Sequence, residues 1–330
     1  MRVLVPAVFL LLASASGLSA QQPAAPLPAA APPEAAQRPA PVFRSGANLV
    51  AINVTVNDGK RFIPGLQAGD FAVYEDGVQQ RVDFFESSNV PVDLILLVDG
   101  SSSMRDKMHA VHEAALGFLK NLRPGDRGAV VAFADNVQVK QPLTGDHAAL
   151  EAAVKGIEAN GATALNNAVY IALKEFGRRA KQPGEVRRQA IALLSDGDDT
   201  VSLMSFDDVV ELARKSSVNI YTIALKSTPV ADSSRPYLSD SDYTMTTLAK
   251  ETGADAFFPA TVYDLKKIYA TIAEELSTQY SLGYTPTNGR QDGRYRRIVV
   301  RMTNRPNLQP RSRTGYTADV VAAAAVRQPR

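Results

Sequence analysis

VDLILLVDGSSSM, residues Val92 to Met104, is the stretch from which the fold of this chain is read. Leu94 to Val98 is an unbroken apolar run with no polar alternation, the pattern of a strand buried on both faces of a parallel sheet. It ends at Asp99 in a small polar loop, after which Met108, Val111, Ala115, Leu116 and Leu119 recur at helical spacing up to Pro124-Gly125. Strand, loop and helix then repeat. AVVAFAD (129–135) and VQVKQPL predict adjacent strands, with an antiparallel exception around 137–143, and AALEAAVKGI and LNNAVYIALKEF predict helices. QAIALLSDG (189–197) is another buried strand, followed by FDDVVELARKSS (helix), VNIYTIAL (strand), YTMTTLAKETG (helix), ADAFFPA (strand) and VYDLKKIYATIAEELSTQ (helix). The alternation predicts a doubly wound α/β domain over 90–279, with a mostly parallel sheet covered by helices on both sides.

Outward from this domain the pattern changes on both sides. Residues 44–88 hold short runs, LVAINVTVND, GKRFIPGL and DFAVYEDGVQQRVDFFE, with turn signals at Asn57-Asp58-Gly59 and Glu75-Asp76-Gly77. They predict a small antiparallel β segment, too short to bury a secure core alone, that leans on the α/β domain or shares strands with the C-terminus. Residues 280–318 return to strands in YSLGYTP, YRRIVVRM and the stretch near Thr314-Gly315-Tyr316, and are expected to pack with the first β segment. Arg294, Arg296, Arg297, Arg301, Arg305, Arg311 and Arg313 make this end basic; they read either as a solvated face or as a surface for an anionic ligand or envelope polymer.

Met1-Arg2 precedes VLVPAVFLLLASASGLSA, a basic start and a short apolar run ending in small residues, the layout of a secretory signal over 1–20. Cleavage after Ala20 and after Gly17 both remain open. The run is too short to span a bilayer, and no later stretch approaches eighteen uncharged apolar residues, so no transmembrane segment is expected in the mature chain. Residues 21–43 form a Pro/Ala-rich linker and 319–330 a disordered tail. The expected location is outside the cytoplasm: secreted, periplasmic or cell-surface.

Composition narrows the chemistry. Thirty-six Lys and Arg against 34 Asp and Glu give a net charge of +2, which singles out no polyanion, and no nucleic acid is expected as partner. With no cysteine there are no disulfides, thiolate metal ligands or cysteine nucleophiles, and three histidines, at 109, 112 and 147, barely supply imidazole chemistry. Any metal should therefore be hard and oxygen-ligated. Asp99-Gly100-Ser101-Ser102-Ser103 offers such oxygens at the carboxyl end of a strand, where ligands collect in open α/β sheets. Residues 99, 101 and 103 can turn inward together; Ser103 is also placed to cap a helix starting near Met104.

VDGSSSM resembles the DxSxS signature of the von Willebrand factor type A domain, whose metal-ion-dependent adhesion site adds a threonine from a second loop and an aspartate after a later strand. Thr163, in NGATALNNAV, and Asp196, in LLSDGDD, stand at matching boundaries. The resemblance spans about residues 47–318, in particular to exported bacterial proteins in which the domain is flanked by segments like DFAVYEDGVQQ and QYSLGYTP. It implies Ser101 and Ser103 as direct hydroxyl ligands, Thr163 as a direct or water-linked one, and Asp99 and Asp196 as carboxylates holding water and the serines. The implied cofactor is Mg²⁺, with Ca²⁺ or Mn²⁺ as alternatives, and the implied partner is a protein or peptide that supplies a carboxylate. Ser102 stands where the family frequently has glycine, which leaves loop geometry or affinity open to difference. Asp198 and Asp199 read as solvated loop charges near this rim, with tuning of metal or ligand selection as the alternative. An adhesion-type binding module, not an enzyme, is the resulting expectation, with an envelope scaffold or a metal-dependent hydrolase as alternatives. No GxSxG surrounds Ser101 or Ser103, His109 and His112 read as a surface or packing pair, and no lysine-bearing phosphate loop accompanies the aspartates.

Overall fold

Val92–Asp99 is a strand whose eight residues are all buried in the computed structural model, which describes residues 49–87, 90–178, 186–196, 198–225 and 239–319. The expected signal and linker, and all of the expected tail (319–330) but Asp319, lie outside the described residues. The described residues belong to one compact unit, Phe43–Arg330. In chain order the first elements are β1 (Val50–Asn57), β2 (Phe71–Glu75), β3 (Val78–Gln80), β4 (Val82–Glu86), β5 (Val92–Asp99) and α1 (Met108–Leu119). Next come β6 (Arg127–Phe133), β7 (Val137–Thr144), α2 (His147–Lys155), α3 (Leu165–Arg178), β8 (Arg188–Ser195), α4 (Phe206–Lys215) and β9 (Val218–Ala224). The chain continues through α5 (Asp240–Thr252), β10 (Ala256–Phe257), α6 (Leu265–Thr278), β11 (Tyr280–Tyr284), β12 (Tyr295–Met302), β13 (Gln309–Arg311) and β14 (Gly315–Thr317).

The central sheet has the order β10-β9-β8-β5-β6-β7 and is parallel except for β7, which runs antiparallel to β6. Both faces carry a core because successive side chains of a strand point to opposite sides. Leu94, Leu96 and Val98 pack with α1, α2 and α6, while Ile95 and Leu97 pack with α3, α4 and α5. Local chemistry sets the helix ends. The Ser205 side chain accepts from Asp208 N to cap α4, whose first turn is acidic and last turn basic, in accord with the helix dipole. α5 ends at Gly253, which adopts the left-handed conformation at φ 79°.

The flanking segments interleave into two antiparallel sheets, β13-β1-β11-β4 and β14-β12-β2-β3. Ile52, Val54 and Leu282 from the first meet Phe71, Val73 and Ile298 from the second in a separate core. β11 lies between β1 and β4, so residues more than 190 positions apart in the chain are hydrogen-bonded neighbours. Asp76 (φ 47°) and Gly77 (φ 85°) close the β2–β3 hairpin, the positive-φ pair that a tight two-residue turn requires. Two expectations change. GKRFIPGL forms no strand beyond a bridge between Asn57 and Phe62, and ADAFFPA shortens to the two residues of β10.

The sandwich meets the α/β domain at the amino ends of β8 and β9. Arg188 donates to Ser281 Oγ (3.1 Å) and to Leu276 O (3.0 Å), and burial pushes its guanidinium down to about 10. Asn53 donates to Asn219 Oδ1 (2.8 Å). Glu275 of α6 is fully buried and receives Thr55 (2.8 Å), Tyr221 (2.8 Å) and Arg311 (2.5 Å) on a single oxygen. Burial pushes the Glu275 carboxyl up, and Arg311 works against that shift. Three distant segments thus converge on one carboxylate. Arg311→Met is expected to destabilise the protein by about 2–4 kcal/mol, since it leaves a buried charge unpaired. Glu275→Gln should cost less, because an amide oxygen still accepts from Tyr221 and Thr55; urea unfolding of both variants checks the order.

Candidate metal centre

β5 has no room for a polar side chain along its middle, so its carboxylates stand at its ends. Asp99, the last residue, is 0% exposed. Its Oδ1 accepts from Ser101 N (2.8 Å) and its Oδ2 from Ser195 Oγ (2.5 Å) at the end of the neighbouring β8. Burial pushes the Asp99 carboxyl above the usual carboxylate range; the Ser195 and Ser101 hydrogen bonds lower it, and the nearby Asp196 charge raises it further. Gly100 then passes so close to the 157–160 loop that a Cβ would lie 2.9 Å from Glu158 O. Its amide donates to Phe133 O and its carbonyl accepts from Asn160 N, each at 2.7 Å.

Ser101, 2% exposed, places its Oγ 3.0 Å from Ser103 Oγ, and Ser103 donates to Asp196 Oδ1 at 2.7 Å. The other Asp196 oxygen takes the ammonium of Lys107. Ser103 does not cap a helix: Ser102–Lys107 is a 3-10 segment and α1 starts only at Met108. The hydroxyl is engaged by Asp196 and Ser101 instead. Thr163 arrives by a different route. It is 5% exposed, and its amide and carbonyl bond Thr200 Oγ1 (3.0 Å) and Thr200 N (2.8 Å). Ser102 N donates to Gly161 O and Gly161 N to Ser102 Oγ, both at 3.0 Å, joining its loop to the serines. Among the described residues, the Thr163 hydroxyl makes no hydrogen bond to Asp99, Ser101, Ser103 or Asp196.

Four further residues shape the site. Asp199 is not a solvated charge: it accepts from Leu165 N (2.9 Å) and Asn166 Nδ2 (3.0 Å), capping α3 from another loop. Asp198 is exposed. Asp135 accepts from Ala162 N (2.8 Å), Ser195 holds Asp99, and Lys107 pairs with Asp196. Asp199 carried a sequence signal, an acid beside the motif, whereas Lys107 and Ser195 have none, because their partners are 89 and 96 residues away. His112 packs against Ile157 O at 3.1 Å, and burial lowers its pKa.

Among the described residues no three His, Cys, Asp or Glu side chains gather as a metal cluster. The Asp99 and Asp196 carboxylates with the Ser101 and Ser103 hydroxyls form a different donor set, one suited to a hard cation. Such a cation fits here on a specific observation: the Asp196 charge adds to burial in making the Asp99 carboxylate costly to ionise, and the Lys107 ammonium already stands on Asp196 as a positive charge.

The family model of the von Willebrand factor type A domain matches residues 93–271. Among curated relatives, a UPF0353 protein of Mycolicibacterium paratuberculosis is 28% identical over 199 residues, covering 56% of this chain and 60% of that protein. A UPF0353 protein of Mycobacterium ulcerans is 27% identical over 218 residues, covering 59% and 62%. The chain thus spans about 60% of the length of these relatives. Among solved structures, a von Willebrand factor type A protein from Catenulispora acidiphila aligns with TM-score 0.49 and 13% identity over 85% of this chain and 76% of that chain. Proximal thread matrix protein 1 of the mussel byssus, with a zinc-occupied MIDAS motif, aligns with TM-score 0.46 and 19% identity over 59% and 48%.

Gly161 has φ +90°, and a Cβ there would fall 2.2 Å from Asp135 Oδ2. Gly161→Ala is expected to cost about 1–3 kcal/mol and to loosen the Thr163 loop. Denaturant unfolding reads the first effect, and faster amide exchange at Ala162 and Thr163 reads the second.

Proposed function

Because the chain belongs to the von Willebrand factor type A domain family, we propose that it is an exported, non-catalytic binding module whose Asp99, Ser101, Ser103, Thr163 and Asp196 hold a divalent cation. Its partner is a protein or peptide that contributes a carboxylate. The observation that carries this reading is the meeting of Ser101 Oγ, Ser103 Oγ and the Asp196 carboxylate at the carboxyl ends of two adjacent strands. Mg²⁺, or Ca²⁺ or Mn²⁺ on the same oxygens, supplies a hard electrophilic centre with room for a partner oxygen.

The protein's own residues do the rest. Asp99 orients Ser101 through its amide and ties β5 to β8 through Ser195, fixing where the hydroxyls point. Ser101 and Ser103 are neutral donors, so they contribute no negative charge that would oppose an incoming carboxylate. Asp196 holds Ser103 and carries the negative charge that attracts a cation. The Gly161–Ser102 pair keeps the Thr163 loop against the serines. The apolar run after Arg2, ending in small residues, supports export to the periplasm or cell surface.

Lys107 adds a property specific to this chain. Its ammonium sits on the carboxylate that a divalent ion would approach, so it competes for that charge. Lys107→Met is expected to tighten Mg²⁺ binding roughly tenfold or more, the order that removing a like charge a few ångströms away produces. Ser103→Ala should weaken it about 10- to 100-fold with little effect on folding. Calorimetric titration of Mg²⁺ into both variants measures the two changes.

A pull-down from the native envelope, comparing wild type with Asp99→Ala and Ser103→Ala, each with Mg²⁺ and with chelator, tests the function. Partners should be recovered by wild type with Mg²⁺ alone. Recovery of the same partners in every sample would instead make the protein an envelope scaffold and sink the metal-dependent mechanism.

A further inference from the structure

Arg313 is a buried cation for which the fold supplies no carboxylate. Arg296 has Glu75 at 3.4 Å, and Arg311 has Glu275 and Asp255. Arg313, 9% exposed, donates from Nη1 to Ser216 O (3.1 Å) and lies over the Tyr316 ring at 5.5 Å. Its Nε has no hydrogen-bond partner, and among the described residues no carboxylate lies within ion-pair distance of it. Burial pushes its guanidinium below the ordinary arginine value, a sign of incomplete compensation. An unpaired buried charge is costly, and native proteins ordinarily meet it with an anion or hydrogen bonds.

Arg313 lines a cleft of about 570 Å³ formed by the start of β1, the loop after β11 and the chain following β14. Lys215, Arg290 and Arg296 line it too, against one carboxylate, the exposed Asp319. Lys215 is engaged by Glu211, and Arg296 braces the loop through Asn288 O and Arg290 O. Arg290 is exposed and, among the described residues, makes no ion pair. Two guanidiniums, one inner and one outer, thus remain without a dedicated anion.

We propose that this cleft binds a phosphate group, with buried Arg313 as the inner donor and Arg290 as the outer one. Guanidinium forks match phosphate oxygens bidentately, and two uncompensated cations suit a dianion better than the single charge of a carboxylate. The cleft volume admits the organic part of a phosphate monoester as well as the free ion. The site shares no residue with the Asp99 centre, so each stands or falls separately.

The test titrates the full chain with inorganic phosphate, methyl phosphate and acetate at constant ionic strength, by calorimetry and ³¹P NMR. Phosphate should bind at least about tenfold tighter than acetate. Arg290→Gln should weaken phosphate several-fold at unchanged melting temperature, Arg313→Gln should abolish binding, and Asp99→Ala should leave it unchanged. Should Arg313→Gln fail to fold, Arg290→Gln decides alone. Tighter binding of methyl phosphate than of phosphate identifies an ester as the ligand, equal affinity shows that the shared phosphate group alone is recognised, and exclusion of methyl phosphate identifies the free ion. No binding, equal binding of acetate, or wild-type affinity in Arg290→Gln would overturn the proposal.

Discussion

A strand buried on both faces admits polar groups only at its ends, and β5 imposes that constraint on the rest of the domain. Its two aspartates, Asp93 and Asp99, sit at opposite ends with opposite solutions. Asp93 takes Arg127 at 2.7 and 2.8 Å and Arg187 at 2.9 Å, so its charge is met by guanidiniums. Among the described residues, Asp99 takes a hydroxyl and an amide as hydrogen-bond partners, with no cation on it. Near Asp99, Asp196 adds a second negative charge. The amino end of the sheet is therefore electrostatically closed, while the carboxyl end keeps acidity in reserve and covers it with serines. Chemistry is directed to one end of the sheet by this asymmetry.

The closed end is also where the β-sandwich attaches. α6 carries Glu275 to that junction, and β11 follows it with only Gln279 between, entering the sandwich between β1 and β4. The buried carboxylate of Glu275 gathers β1, β9 and β13 through Thr55, Tyr221 and Arg311. Such a network adds less to stability than its bond count suggests, since desolvation opposes it, but it penalises misdocking strongly. The sandwich thus attaches at the end of the sheet opposite to the loops of Asp99 and Asp196.

Much of this was legible in the chain. Apolar runs and helical spacing marked the strands and helices, because burial on both faces of a parallel sheet leaves a local imprint. The tight turn at Asp76-Gly77 was legible for the same reason. The arginines of the C-terminal segment were not. Arg297 and Arg301 do face solvent, but Arg296, Arg311 and Arg313 are drawn inward by Glu75, Glu275 and the Ser216 carbonyl, which lie 221, 36 and 97 residues away. Asp199 was misread as a solvated charge because the α3 amide it caps belongs to a different loop. Ser103 was misread as a helix cap because its competing acceptor, Asp196, is 93 residues on.

By itself the sequence determined the α/β class, the membership in its family and the chain positions of the oxygen-bearing motif, since periodicity and spacing are properties of neighbouring residues. Only the tertiary structure decided which charges are met and which are left over: Asp93 closed by arginines, Asp196 shared between Ser103 and Lys107, Arg313 buried without an acid. Charge compensation depends on which distant segments fold into contact, and at separations of tens to hundreds of residues no local pattern encodes it.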